Sequence, residues 1–534
     1  MRVLTAAEAR AFDRWAIDEL GVPAMVLMEN AALALAEAIG SSFGEARRIA
    51  IFCGPGSNGG DGLALARQLV TRGYEVGIFL ANFGRAPSAD CAQQLAICRA
   101  MGLATFDLAA DWQESAESAF TADLVVDALF GTGLERPLRA PYDELVEWMN
   151  ALPAPRLAVD LPSGLDAGRS HPIGPAIQAD ATVTFGAPKI AHLLQPAAEW
   201  VGELSVADLG VPFDSSPCAG GLLEVLTGED LRHGLPARAS AAHKGEFGHV
   251  LLVAGSRGKA GAAILAARGA VRGGAGLVTV ATVDSAWAAL ASAAPEAMSL
   301  PLAEDASGGL PFAALARLLT AARERDVLAL GPGLGQSPGT FKLVQRLVVE
   351  LADLPLVLDA DGLNALAAAA SGAGAGAKGA KGGRRGAGGL RLLARRRAAT
   401  ILTPHPGELA RLLGCSTAEV EADRLASVRR ASELSGAIVV LKGSRSLVGL
   451  PSGEVSINTT GNPGMASGGS GDVLTGLIAA RLAQGDDPAF AAQVAVHLHG
   501  LAGDLAVAAG VAPAVPAGTL AEYLPQAYGK LGQA

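Results

Sequence analysis

Short apolar runs that stop at glycine-rich or polar turns, each followed by a helix-like stretch, recur along most of this chain. That alternation restricts it to parallel α/β layers. Two parallel strands need a crossover of about a dozen residues or more, usually a helix, and the runs are spaced accordingly. From Arg47 the order is IAIFCG, a Gly-rich turn, a helix-like stretch from Asp61 to Arg72, then YEVGIFL, which together make one βαβ unit. DLVVDALFGTG, RLAVDLPSGLD and ATVTFGAPK continue the series, so polar residues repeatedly fall just after a strand. Open parallel sheets bind ligands at those carboxyl ends.

Around residues 211–240 the pattern lapses into VPFDSSPCAGG and a polar stretch. A second series starts at HVLLVAGS and runs through GLVTVATV, DVLALGPGLG, LPLVLDADGLNAL, ATILTPHPGEL and AIVVLKGSRS, ending in a Gly-rich turn before DVLTGLIAARLAQ. The 534 residues exceed what one core usually organises. Two α/β domains are expected, residues 1–218 and 219–534, each with a parallel sheet. SGAGAGAKGAKGGRRGAGG, from Ser371 to Gly389, has too little apolar surface to fold alone and is expected to be a flexible surface insertion.

Half the residues are hydrophobic, yet Arg, Asp, Glu, Gly or Pro soon interrupts each apolar run, so no stretch is expected to span a bilayer. The net charge of −10 argues against nucleic acid as a partner. Five cysteines are scattered without a CxxC pair, which suits a reducing cytoplasm. MRVLTAAEARAFDRWAIDELG mixes acids with arginines and reads as an amphipathic helix of the folded protein, not a secretory signal.

GPGSNGGDG, from Gly54 to Gly62, sits between a strand and a helix, where glycines allow close backbone approach and unpaired amides face an anion. A phosphate-bearing ligand fits, although the order is neither GxGxxG nor a Walker loop. Asn58, Asp127 and Ser163 follow three different strands, and their oxygens are candidate ligands for a hard monovalent cation. Taken singly, Asn58 and Ser163 are better read as shaping turns and Asp127 as capping a helix.

SNGGDG, VVDALFGTGL and DLPSGLD, in this order, resemble the NAD(P)H-hydrate epimerase family, the YjeF N-terminal domain, over roughly residues 1–215. The resemblance implies a Rossmann-like fold and a potassium ion held by Asn58, Asp127 and Ser163. It also implies that Ser57, Asn58, Gly59, Gly60 and Asp61, then Gly131, Thr132, Gly133, Leu134, Glu135, Arg136 and Pro137, and finally Asp160, contact the hydrated nucleotide. Epimerisation at C6 of the hydrated ring needs proton transfers, for which Asp160 is the preferred acid/base. Lys189 at the next strand end is set aside, since a single lysine there is more often a surface or phosphate-contacting residue.

In the second half, NPGMASGGSGD, from Asn462 to Asp472, makes a backbone-amide cradle before an apolar helix. An isolated Asp472 would be read as a helix-start carboxylate, but beside the cradle it is better read as a base that takes a proton from an acceptor hydroxyl. Lys442 of KGSRS offers a point charge to a phosphate, and His405 of TPHPGEL has no metal-like companion.

Together with HKGEFGHVLLVAGS, GAAILAARGAVRGGAGLVTV, GPGLG and LDADGLNAL, these motifs resemble the ADP-dependent NAD(P)H-hydrate dehydratase family, over most of residues 222–530. The resemblance implies a ribokinase-like fold. It places the adenine nucleotide on Lys442, Gly443, Ser444, Arg445, Ser446 and Gly471, and the (6S)-hydrate on Ala263, Gly335, His405 and Asp472. Ser446 stands where a threonine is common. ADP is the implied co-substrate, Mg2+ the expected companion of its phosphates, and a homo-oligomer is expected. A small-molecule kinase, or a first domain that only senses nucleotides, is the competing reading.

Overall fold

The computed structural model describes residues 1–108, 112–235, 239–372, 388–511 and 513–533. They fall into two compact units, Met1–Gly221 and Leu222–Ala534.

In the first unit the strands are β1 (Arg48–Cys53), β2 (Glu75–Leu80), β3 (Ala104–Asp107), β4 (Leu124–Ala128), β5 (Arg156–Val159), β6 (Ala181–Phe185) and β7 (Glu203–Ala207). They lie in the order β3-β2-β1-β4-β5-β6-β7, and every pairing is parallel. All of β4, and all of β1 after Arg48, are buried, as near-continuous apolar strands covered on both faces must be. The chain reverses direction across the sheet between β1 and β4, so the loops leaving those two strands part and open a crevice at their carboxyl ends.

The helix after β1, Ser57–Thr71, begins four residues before the expected Asp61. Its first turn is seated directly on the loop that precedes it. A Cβ at Gly59 would lie 1.8 Å from the Gly54 carbonyl oxygen, so only glycine permits this approach.

The second unit contains β8 (Leu223–Leu226), β9 (His249–Val253), β10 (Leu277–Val283), β11 (Met298–Leu302), β12 (Val327–Leu330), β13 (Leu356–Leu358), β14 (Thr400–Leu402), β15 (Ile438–Leu441), β16 (Leu447–Gly449) and β17 (Val455–Asn458). Their order is β11-β10-β9-β12-β13-β14-β15-β16-β17-β8.

Two features depart from the sequence reading. The sheet is not parallel throughout, because β16 runs antiparallel to both neighbours. The connection from β15 is only Lys442–Ser446, far too short for a parallel crossover, so it turns back as a hairpin. The sheet also begins before HVLLVAGS: the four residues of β8 pair in parallel with β17 at its edge, hidden from a periodicity reading by their shortness and by the polar stretch around them.

The amphipathic N-terminal helix spans Ala6–Arg14 and continues as a π-helical turn, Trp15–Glu19. The expectation about apolar stretches needs correction. Ala24–Ser42 and Pro488–Ala508 are each long and apolar enough to cross a membrane by length and composition. Within this fold each buries a face, with Leu27, Ala31 and Leu35 on the first and Ala491, Ala495, Leu498 and Ala502 on the second. Of the Ser371–Gly389 segment, residues 373–387 lie outside the described residues; Gly388 and Gly389 open a short helix, Gly388–Leu393.

Candidate active sites

In the first unit a cavity of about 480 Å³ opens at the β1/β4 switch point. Ser57, Asn58, Asp61, Gly131, Thr132, Gly133, Leu134 and Asp160 all line it. Gly59, Gly60, Glu135, Arg136 and Pro137 do not form part of its wall. Glu135 instead pairs with Arg10 at 3.5 Å.

Asp160 follows β5 with φ of 63°, a left-handed conformation that is uncommon for a non-glycine residue and is characteristic of strained functional positions. Its Oδ1 accepts from Lys189 Nζ at 2.8 Å and from Thr184 Oγ1 at 3.0 Å, and its Oδ2 accepts from the Thr132 N–H at 3.3 Å. Lys189 is not the surface residue expected. It is 2% exposed, and its ammonium also donates to Thr184 Oγ1 at 2.6 Å and to the Phe185 carbonyl at 3.2 Å.

Burial works against the Asp160 carboxylate. The charge and hydrogen bond of Lys189, with help from His192 and Thr184, more than offset it and hold the group below its ordinary value. His192 Nδ1 accepts from the Lys189 N–H, which leaves Nε2 as the donor to the Asp160 carbonyl. Burial and the Lys189 charge push this imidazole down to about 3, so it supports Asp160 as a neutral ring.

Asp127, at the end of β4, is fully buried. Its carboxylate accepts from Ser163 Oγ at 2.6 Å, the Ser163 N–H at 2.8 Å and the Leu129 N–H at 3.1 Å. It caps no helix. Burial pushes it up to about 6 against those hydrogen bonds, the position of a carboxylate that still lacks a counter-charge. The buried Asn58 Nδ2 has no hydrogen-bond partner among the described residues. A Cβ on Gly131 would come within 3.2 Å of Asn58 Oδ1, and Ser163 Oγ accepts from the Phe130 N–H at 2.9 Å, so the three side chains gather around one short loop. One carboxylate with the neutral oxygens of Asn58 and Ser163 forms a ligand set suited to a hard cation of low charge.

In the second unit, Asp472 stands in the first turn of the helix Ser470–Ala483, after the glycine cradle. Lys442, leaving β15, donates to Asp359 Oδ1 at 2.7 Å, and Thr475 Oγ1 donates to Asp359 Oδ2 at 2.7 Å. Glu408 lies 4.0 Å from the same ammonium. A Cβ on Gly471 would meet Lys442 Nζ at 3.0 Å, so the lysine lies directly beneath the cradle. Among the described residues, Asp472 takes no such partner. Burial, then the Asp359 charge, raise it to about 7, with Lys442 opposing and Asp361 and Glu408 reinforcing. At neutral pH it is poised between acid and base.

The Gly335 N–H donates to Asp361 Oδ2 at 2.8 Å, and Lys259 Nζ reaches the same oxygen at 3.3 Å. His405 is the N-cap of Pro406–Leu413, with Nδ1 accepting from the Gly407 N–H, and its side chain remains half exposed. Ala263 is buried in the helix Ala260–Arg272. The Gly443–Ser446 loop rests on Arg424, which sequence reading missed. Arg424 is 5% exposed, donates from Nη1 to the Ser444 carbonyl at 2.5 Å, and leaves Nε and Nη2 without partners.

Asp359, Asp361 and Glu408 were also missed, and Lys189 was seen but set aside. Asp359 and Lys189 follow strand ends, whereas Asp361 and Glu408 stand in the first turns of the helices Ala360–Gly372 and Pro406–Leu413, and each was embedded in a motif whose other residues drew the reading. Arg424 sits inside a polar helix and had no local signal.

The first unit matches the family model for the YjeF-related protein N-terminus over residues 24–191, and the second matches the model for NAD(P)H-hydrate dehydratase over residues 250–526. A bifunctional NAD(P)H-hydrate repair enzyme of Moorella thermoacetica is 42% identical over 98% of this chain and 96% of its own length. This chain belongs to the bifunctional NAD(P)H-hydrate repair enzymes. Another member, from Escherichia coli, is 37% identical over 94% of this chain and 89% of its own. The solved ADP/ATP-dependent NAD(P)H-hydrate dehydratase of Bacillus subtilis is 30% identical, with a TM-score of 0.47, covering 58% of this chain and 98% of that one. In this repair enzyme, then, the two families' motifs map onto the strand ends and helix starts just described in the two units.

Proposed function

We propose that the first domain interconverts the R and S forms of the water adduct of NADH or NADPH at C6, and that the second uses ADP to dehydrate the S form, releasing AMP and phosphate. The observation that carries this reading is Asp472. It is a carboxylate raised to about 7 at a helix N-terminus beside a glycine cradle and a partly buried lysine.

In the second domain, ionised Asp472 takes the proton of the 6-hydroxyl as its oxygen bonds to the terminal phosphorus of ADP and AMP departs. The C6–O bond then breaks with its electrons leaving on phosphate, a proton leaves C5, and the ring double bond returns. Lys442, anchored by Asp359, holds positive charge under the cradle, where phosphate oxygens gather. Arg424 fixes the Ser444 carbonyl and so the loop that would contact the nucleotide. Mg2+ would arrive on the nucleotide's phosphates and offset their charge there.

In the first domain, the adduct's phosphates meet the amides at the start of the Ser57–Thr71 helix, and its ring lies near Asp160. Asn58, Asp127 and Ser163 would hold a potassium ion, which would supply the positive charge that buried Asp127 lacks and order the Phe130–Gly131 loop.

The test supplies mixed R and S hydrate with ADP or ATP to the full chain and follows reduced-cofactor absorbance. Complete recovery of both epimers is expected. Accumulation of a stable phosphorylated product would point instead to a kinase, and consumption of S alone would remove the epimerase half.

A further inference from the structure

The first cavity contains a carboxyl group for which the reading above has no use. Asp13, near the end of the helix Ala6–Arg14, lines the cavity with Asp160, Lys189 and Asp61. Several contacts fix its place. Leu4 forms a parallel bridge with Lys189 and donates its N–H to the Pro188 carbonyl at 2.8 Å. Thr5 and Glu8 close a capping box at the helix start. Buried Phe12 packs on Gly186, where a Cβ would meet its ring at 3.1 Å, and tilts against Phe213. The helix that presents Asp13 is therefore tied to the strand-end segment that carries Lys189.

Asp13 is exposed and stands on the cavity wall, and its carboxyl has no hydrogen-bond partner among the described residues. It precedes the span matched to the family model, 24–191.

We propose that Asp13 is the proton donor to the departing 6-hydroxyl in epimerisation, with Asp160 as the carboxylate that takes the proton of the returning water. The inference rests on the epimerase reading. The C6–O bond breaks with both electrons going to oxygen, which takes the Asp13 proton and leaves as water, while the ring nitrogen's lone pair forms the C6–N double bond. Water then adds at the other face, the double-bond electrons return to nitrogen, and the released proton passes to Asp160. In the reverse direction the two carboxyls exchange roles, and a proton passing between them through cavity water resets the pair.

The electrostatics agree with this division. Burial within the cavity and the Asp160 charge raise Asp13 to about 6, with Lys189 opposing, while Asp160 is held down. Asp61, itself pushed well up by burial, by Asp160 and by Asp13, faces the same space, as do Arg10 and Asp90. Two carboxyls whose environments drive them apart form an acid–base pair.

The experiment measures R-hydrate consumption by the full chain between pH 5.5 and 8, corrected for spontaneous epimerisation, for wild type, Asp13→Asn and Asp13→Glu. The expected result is a wild-type rate that declines above pH about 6, a loss of about tenfold or more in Asp13→Asn with that decline abolished, and partial recovery in Asp13→Glu. S-hydrate dehydration should be unchanged in all three. An Asp13→Asn rate within about threefold of wild type, with the same pH profile, would overturn the inference alone. Should that variant fail to fold, the wild-type profile decides, since a rate that does not decline above pH 6 also overturns it. A wild type that consumes S-hydrate but never R-hydrate removes the epimerase reading itself.

Discussion

Both domains place a lysine–aspartate pair at the carboxyl ends of parallel strands, fully buried in the first and partly exposed at the lysine in the second, yet the two carboxylates sit differently. Lys189 holds Asp160 at 2.8 Å and Lys442 holds Asp359 at 2.7 Å. In the first domain the paired carboxylate itself faces the cavity and stays ionised. In the second, Asp359 is 1% exposed and also accepts from Thr475, so it serves to anchor the lysine. The base proposed there is Asp472, to which the lysine makes no hydrogen bond among the described residues. One ammonium neutralises one carboxylate fully, and the next carboxyl in the same low-dielectric space is driven towards neutrality. The carboxyl beside each pair, Asp13 or Asp472, is then the one raised towards neutral pH.

The comparison breaks first at Asp472. Asp472→Asn should lower S-hydrate dehydration by about 10²–10⁴-fold while ADP binding, measured by calorimetry, is kept. Full activity would place the base elsewhere. Lys189→Met comes next, because it leaves Asp160 buried beside an apolar chain. Loss of about 3–5 kcal/mol from the first domain's unfolding transition in denaturant is expected, with R-hydrate turnover lost. A much smaller loss would mean that Asp160 simply takes up a proton in the folded variant. The smallest effect is the most discriminating. Asp472 acts as base only when ionised, and its folded value is about 7, so the dehydration rate should fall about tenfold per unit as pH drops below 7 and level off above it. The group is raised, not depressed, so a profile flat down to pH 5 would contradict the assignment.

Much of this was legible because parallel strands announce themselves as apolar runs ending in small or polar residues. The β1, β4 and β5 ends, and with them Asn58, Asp127 and Ser163, were legible from that rule, while Asp160 entered through the resemblance of DLPSGLD. Asp13 and Arg424 could not. Each lies on a helix and reaches its site through packing between elements distant in sequence, a relation that local periodicity does not encode. The π-turn after Arg14 and the four-residue β8 were hidden for the same reason, since tertiary pairing decides them rather than local preference. Lys189 was visible but misjudged: frequency says that a lone lysine is exposed, whereas the neighbouring acid makes its burial tolerable.

Gly59 belongs to a stretch that reads as a ligand loop, yet its missing side chain makes room for the Gly54 carbonyl rather than for a nucleotide. Gly476, in the helix that carries Asp472, sits in the same way against the Ala266 carbonyl, where a Cβ would come within 1.9 Å. An inactive alanine variant at either position would therefore report a displaced helix, and mutational scans of such motifs need a folding measurement alongside before any residue is credited with touching the metabolite.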